Sequence, residues 1–125
     1  MGNDAVPGDS LVGRKILIKI IEPYDIATKI GDPLLAGSVV RFETTEDGGR
    51  MWIWMGRPIE DEGRVGHLVI VSPRHAGVHL LDLFVEDDIA AGAGLVSDNL
   101  ANRPIKEISH AEARYFAIVT LRLVK

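Results

Sequence analysis

The chain contains no cysteine, which excludes a disulfide framework and any thiolate metal site. It also lacks a basic cluster. Nine of its 14 basic residues are arginines, scattered singly, and 18 acidic residues outweigh them to a net charge of −4. Nucleic-acid binders carry a basic stripe, because neutralising phosphates supplies much of their affinity, so the sequence points away from DNA and RNA. No apolar run approaches the roughly 20 residues of a membrane-spanning helix, so no membrane partner is expected. The opening "MGNDAVPGDS" has neither the basic start nor the apolar stretch of a secretory signal, and the expected location is cytoplasmic. Aromatic residues are scarce at 6%, yet both tryptophans fall in one hexapeptide, "MWIWMG".

What remains is enough for one core. At 125 residues the chain has the size of a single domain, and 46% hydrophobic against 26% charged residues removes any need for disorder. The Gly-, Asp- and Pro-bearing residues 1–12 read as a flexible leader, and 13–125 as one globular domain. "RKILIKIIE" is rich in β-branched residues and reads as a strand over 14–22, closed by Pro23. "YDIATKIGDP" fits one helical turn from Asp25. "GSVVRFETT", "EDGG" and "RMWIWMG" read as two strands around a glycine-rich turn, 38–45 and 50–55. "GRPIEDEGR" reads as a polar loop, "VGHLVIVS" as a strand over 65–72, and "YFAIVTLRLV" as a closing strand over 115–124. "DIAAGAGLVSDNLANRP" is small and glycine-rich and reads as loop with one helical turn at most. "SHAE" fits a capping box at the start of a short helix.

One segment fits two readings. "HAGVHLLDLFVEDD" as a helix places His75, His79, Asp82 and Glu86 on one polar face. As a strand it runs from Val78 to Val85, which Gly77 and the β-rich surroundings favour. A match of "DIA" at Asp25 and at Asp88, each after an apolar run, is compatible with a duplicated unit, but tripeptide matches are common by chance and chance is the preferred reading. Together these elements predict a β-rich α+β domain, a mixed or antiparallel sheet curled into a small barrel or sandwich with one or two short helices. The expected core comprises Ile16, Ile18, Ile20, Val40, Phe42, Ile53, Val69, Val71, Phe116, Val119 and Leu121.

The hairpin can be carried to the level of faces. A two- or four-residue turn about Asp47–Gly48 sets Arg50 opposite Thr45, Trp52 opposite Glu43 and Trp54 opposite Arg41. Alternation then puts Val40, Phe42, Met51, Ile53 and Met55 on a core face. Arg41, Glu43, Arg50, Trp52 and Trp54 fall on the other. Either another segment covers the indoles, with Arg41 stacked on Trp54, or Arg41, Glu43, Trp52 and Trp54 form a contact surface. Trp and Arg are enriched at binding hot spots, and two indoles can each bury on the order of 200 Å². The expectation is a non-catalytic binding or assembly module that self-associates through this face as a homo-oligomer, with a protein or small-molecule ligand as a further partner.

The alternative is a metal-dependent enzyme or metal-binding protein. His67, His75, His79 and Asp82 carry the residue types of a divalent-metal site, and a helix would set His75 and His79 on one face. The pattern lacks the glutamate of His-Glu-x-x-His. Ser72, His75 and Asp82 have the composition of a nucleophilic triad without a Gly-x-Ser-x-Gly elbow. The acidic runs at 60–62 and 86–88 lack calcium-loop spacing, "AAGAG" lacks the Lys-Ser/Thr of a phosphate loop, and His110 beside Glu112 and Arg114 reads as an exposed surface.

Overall fold

Inward-facing aliphatic side chains recur at every second residue along most of the chain, and six strands use them to enclose one interior. The computed structural model describes residues 8–22 and 34–124. Strands β1 (Lys15–Glu22), β2 (Leu34–Glu43), β3 (Arg50–Asp61), β4 (Arg64–Pro73), β5 (Ile89–Val96) and β6 (Arg114–Leu123) each pair antiparallel with the next. β6 returns to pair with β1, so the sheet is a closed barrel without edges. The interior is packed with Ile16, Ile18 and Ile20 of β1, Met51, Ile53 and Met55 of β3, Val69 and Val71 of β4, and Val119, Leu121 and Leu123 of β6. It is a filled core of the kind small barrels have.

One rim is stoppered by two short 3-10 helices. Gly8–Leu11 brings a fully buried Leu11, and Leu80–Phe84 brings Leu80 and Leu83. The expected leader therefore ends earlier than residue 12, since Leu11 belongs to the core. The remaining leader residues, 1–7, and the helical turn at Asp25 lie outside the described residues, as does the first copy of the "DIA" match.

The barrel answers the fold expectation in its β-rich part and corrects it elsewhere. The helices among the described residues are all 3-10 turns, so the α+β assignment does not hold beyond them. Residues 78–85, expected as strand, form the Leu80–Phe84 turn instead. His79 caps it, accepting from Leu81 N–H, while the Asp82 carboxylate accepts from His79 N–H. Such reciprocal capping satisfies backbone donors that a strand would have used on a neighbour. Residues 89–96, expected as loop, are β5. Its inward positions are Ile89, Ala91, Ala93 and Leu95, and glycine occupies outward positions that propensity alone reads as loop. At Gly94 a Cβ would lie 2.9 Å from the Ala113 Cβ, so the chain passing overhead demands the missing side chain. The polar stretch 56–64 is also mostly strand. β3 and β4 lose step between Trp54 and Ile59, which accommodates Pro58, and a tight turn at Glu62 and Gly63, with φ of 50° and 79°, joins them.

The β2–β3 register differs from expectation by a bulge and a longer loop. Residues 44–49 form the loop, and the pairs are Glu43↔Arg50, Phe42↔Met51 and Arg41↔Trp52. After a bulge at Val40 come Val39↔Ile53 and Ser38↔Trp54. Val39, not Val40, therefore enters the barrel core, while Val40 packs outside it. Phe42 is only half-buried against the core. Among the described residues no helix is long and apolar enough to cross a membrane, which says nothing about strands.

Candidate functional site

The outer face of the hairpin is engaged by the chain's own β5–β6 connection. Residues 97–113 cross over β2, β3 and β4 and enclose a second apolar cluster: Trp52, Leu68, Ile70, Val96, Ala101 and Ile108, flanked by Val40, Ile105 and Ala113. Trp52 is 0% exposed, and its indole N–H donates to the Ile108 carbonyl at 3.0 Å. The Arg41 guanidinium lies 4.3 Å from the Trp52 ring centroid and donates to the carbonyls of Ile105 at 3.4 Å and Lys106 at 3.2 Å. Glu43 bridges Arg41 at 3.3 Å and Arg50 at 2.6 Å, and Arg50 reaches His110 Nδ1 at 3.0 Å. The stacking expected between Arg41 and Trp54 thus occurs on Trp52. Three of the four residues read as a contact surface, Arg41, Glu43 and Trp52, are committed within the chain.

Trp54 is different. It is 39% exposed, and its ring lies parallel to the His67 imidazole, 5.2 Å between centroids and 8° between planes. His67 is held in turn by Asp98, whose carboxylate stands 3.1 and 3.2 Å from Nδ1 and also accepts the His67 backbone N–H at 3.0 Å. This part of the hairpin face remains open to contact.

The four metal candidates do not converge. His67 sits on the barrel wall beside Trp54, His75 lies in the turn after β4, and His79 and Asp82 cap the 3-10 helix. Among the described residues no three His, Cys, Asp or Glu side chains stand close enough to hold an ion. The Ser72, His75 and Asp82 set is not assembled either, because Asp82 is spent on the His79 backbone amide.

His75 and His79 do meet in another place. A cleft of about 560 Å³ opens at the stoppered rim between the β2–β3 loop, residues 45–50, and the segment 72–79. Its shape is fixed by backbone contacts. Thr45 Oγ1 accepts from Asp47 N–H at 3.2 Å and Gly49 N–H at 3.0 Å, and the Gly48 carbonyl accepts from Leu80 N–H at 2.8 Å. Gly48 has φ of +99°, and a Cβ there would lie 2.2 Å from the Val78 carbonyl oxygen, so only glycine permits this approach. Because His79 Nδ1 accepts from Leu81, a neutral ring carries its proton on Nε2. Arg74 and His75 line the same wall as His79, and Glu46 and Asp47 line the loop opposite. Sequence reading passed over Arg74, Glu46 and Asp47. The loop "EDGG" carried a turn signal, and nothing local indicates that it folds against "SPRHAGVH" some 25 residues on.

A smaller groove of about 380 Å³ lies on the β1–β6 outer face, with Leu17, Lys19, Ile21 and Thr120 beside the Asp88–Arg122 ion pair at 2.7 Å. The hydrogen bond to Asp88 raises the Arg122 pKa above its ordinary value. No family model, no curated protein and no solved structure matches the chain.

Proposed function

We propose that this protein is a non-catalytic binding module that recognises a small polar ligand in the rim cleft. The observation that carries the reading is the state of the cleft's charges. Arg74 on one wall and Glu46 and Asp47 on the other make no ion pair with any described residue. The barrel interior is packed with aliphatic side chains among the described residues, and recognition on loops held by a rigid scaffold is a common arrangement. His79 and Asp82, bound to backbone groups, are poorly placed to act on a substrate. The test is amide NMR of the whole chain titrated separately with acetate, inorganic phosphate, guanidinium and glycine. Resonances of 45–49 and 74–79 should shift together and saturate with at least one of them. If none of the four moves them, or if the shifts spread evenly over the barrel, the proposal fails.

Self-association is a second reading, favoured by the exposure of Trp54. With Trp52 internal, one half-exposed indole provides on the order of 100 Å² against the roughly 800 Å² per partner of a stable interface. Trp54 can then contribute to a homo-oligomer but not hold one alone. Sedimentation of wild type and Trp54→Ala tests this: a monomeric wild type removes the reading, as does an oligomer that the substitution leaves unchanged.

A further inference from the structure

We infer that the rim cleft selects a small zwitterion, an amino acid or short peptide with a free ammonium at one end and a free carboxylate at the other. The inference rests on the binding reading above and names its ligand class. The two walls carry opposite charge: Arg74, beside the imidazoles of His75 and His79, on the segment after β4, and Glu46 with Asp47 on the β2–β3 loop. These groups face one gap, yet no pair of them comes within the 4.0 Å of an ion pair. The Gly48–Leu80 hydrogen bond and the close approach of Gly48 to Val78 fix the base of the loop against the segment, so the two sets of charges sit on backbone held in one arrangement.

Electrostatics then discriminates among ligands. An anion attracted by Arg74 meets Glu46 and Asp47 across the gap, and a cation attracted by those carboxylates meets Arg74. A cube of 560 Å³ has an edge of roughly 8 Å, which is about the screening length at physiological ionic strength, so both walls act on whatever occupies the cleft. A molecule with both charges is attracted at each end and brings no net charge. Because His79 Nδ1 accepts from Leu81, its Nε2–H is a donor on the carboxylate-binding side, beside the His75 imidazole.

The experiment compares glycylglycine with two analogues that each lack one charge, N-acetylglycylglycine and glycylglycinamide, by amide NMR titration of the full chain at low salt. Glycylglycine should bind more tightly than either analogue, by up to about five-fold, the upper range for one partly exposed ion pair. Arg74→Ala should abolish the preference over glycylglycinamide while keeping that over the acetylated peptide. The double substitution Glu46→Gln with Asp47→Asn should do the reverse. Both variants change exposed side chains and should leave the spectrum of the barrel intact. Equal binding of all three compounds, or preferences that survive these substitutions, would overturn the zwitterion assignment while leaving a binding cleft. Failure of glycylglycine and of all four simple probes to move the cleft amides would overturn both.

Discussion

Trp52 and Trp54 stand two residues apart on one strand face, and the chain treats them in opposite ways. Trp52 is sealed under Ile108 and Arg41, whereas Trp54 leans on His67 with its outer side open. Removing a fully buried aromatic leaves a cavity and costs about 3–5 kcal/mol. Trp52→Ala also removes the indole donor of the Ile108 carbonyl, which keeps only the long bond from Arg41 at 3.5 Å, and removes the ring beneath Arg41. Trp54→Ala forfeits a stacked pair worth about 0.5–1.5 kcal/mol and a partly covered ring, and leaves no enclosed cavity. Urea denaturation of the two variants should therefore give midpoints well separated, with Trp52→Ala far the lower. Equal losses would mean that residues 105–113 do not cover Trp52 in solution. The common face of the two indoles with Arg41 and Glu43 was legible in the sequence, because alternation survives the bulge at Val40 on the β3 side. Which indole is covered was not, since the cover comes from Ile108, 56 residues further on.

At the scale of elements, the segment 97–113 has no regular strand or long helix to hold it, so its internal bonds matter. Ser109 and Glu112 form a reciprocal cap on the His110–Glu112 turn, and Glu112 also pairs with Arg103. The hydrogen bond from the Ser109 N–H, chiefly, holds the Glu112 carboxyl below its usual value of 4.5; desolvation opposes it, and the hydrogen bond and charge of Arg103 add to the lowering. A carboxyl whose pKa is lowered on folding contributes stability above its unfolded value and loses it as pH falls through the folded one. Trp52 fluorescence should therefore shift towards that of a solvated indole as pH drops below about 4.5. Glu112→Gln should show a looser cover already at pH 7 and a flatter response to acid. A wild-type and a variant profile that coincide would assign the acid response to other groups. The capping box was readable as Ser-His-Ala-Glu, because it is a contact over three residues. β5 was not, because its alternation is written in alanine and glycine. Those residues carry weak strand preference and become a strand only between β4 and β6. The same holds for the cleft, whose two walls are individually turn-like segments and become a site by folding together.

For the whole molecule, the decisive contact is the pairing of the first strand with the last. Ile18 lies beside Leu121, and Leu121 lies beside Ile89, so one residue of β6 touches both strands that close the barrel. An antiparallel barrel has no stable open form of the same sheet, since parting β1 from β6 exposes two edges and the interior together. Loss of packing anywhere along the seam should therefore register everywhere, including the outer cluster on the opposite wall. Leu121→Ala removes a fully buried side chain and should cost about 2–5 kcal/mol. The loss should appear as a single shift of the urea transition, with far-UV dichroism and Trp52 fluorescence moving together. Because the seam joins residues some hundred positions apart, refolding should be slow for this size, in the millisecond-to-second range of non-local β topologies. Leu121→Ala should act on the barrel as one unit. If the tryptophan signal held its wild-type midpoint while the dichroism fell earlier, the wall under residues 97–113 would be an independent folding unit. Closure of the barrel would then not be what holds the two apolar clusters together.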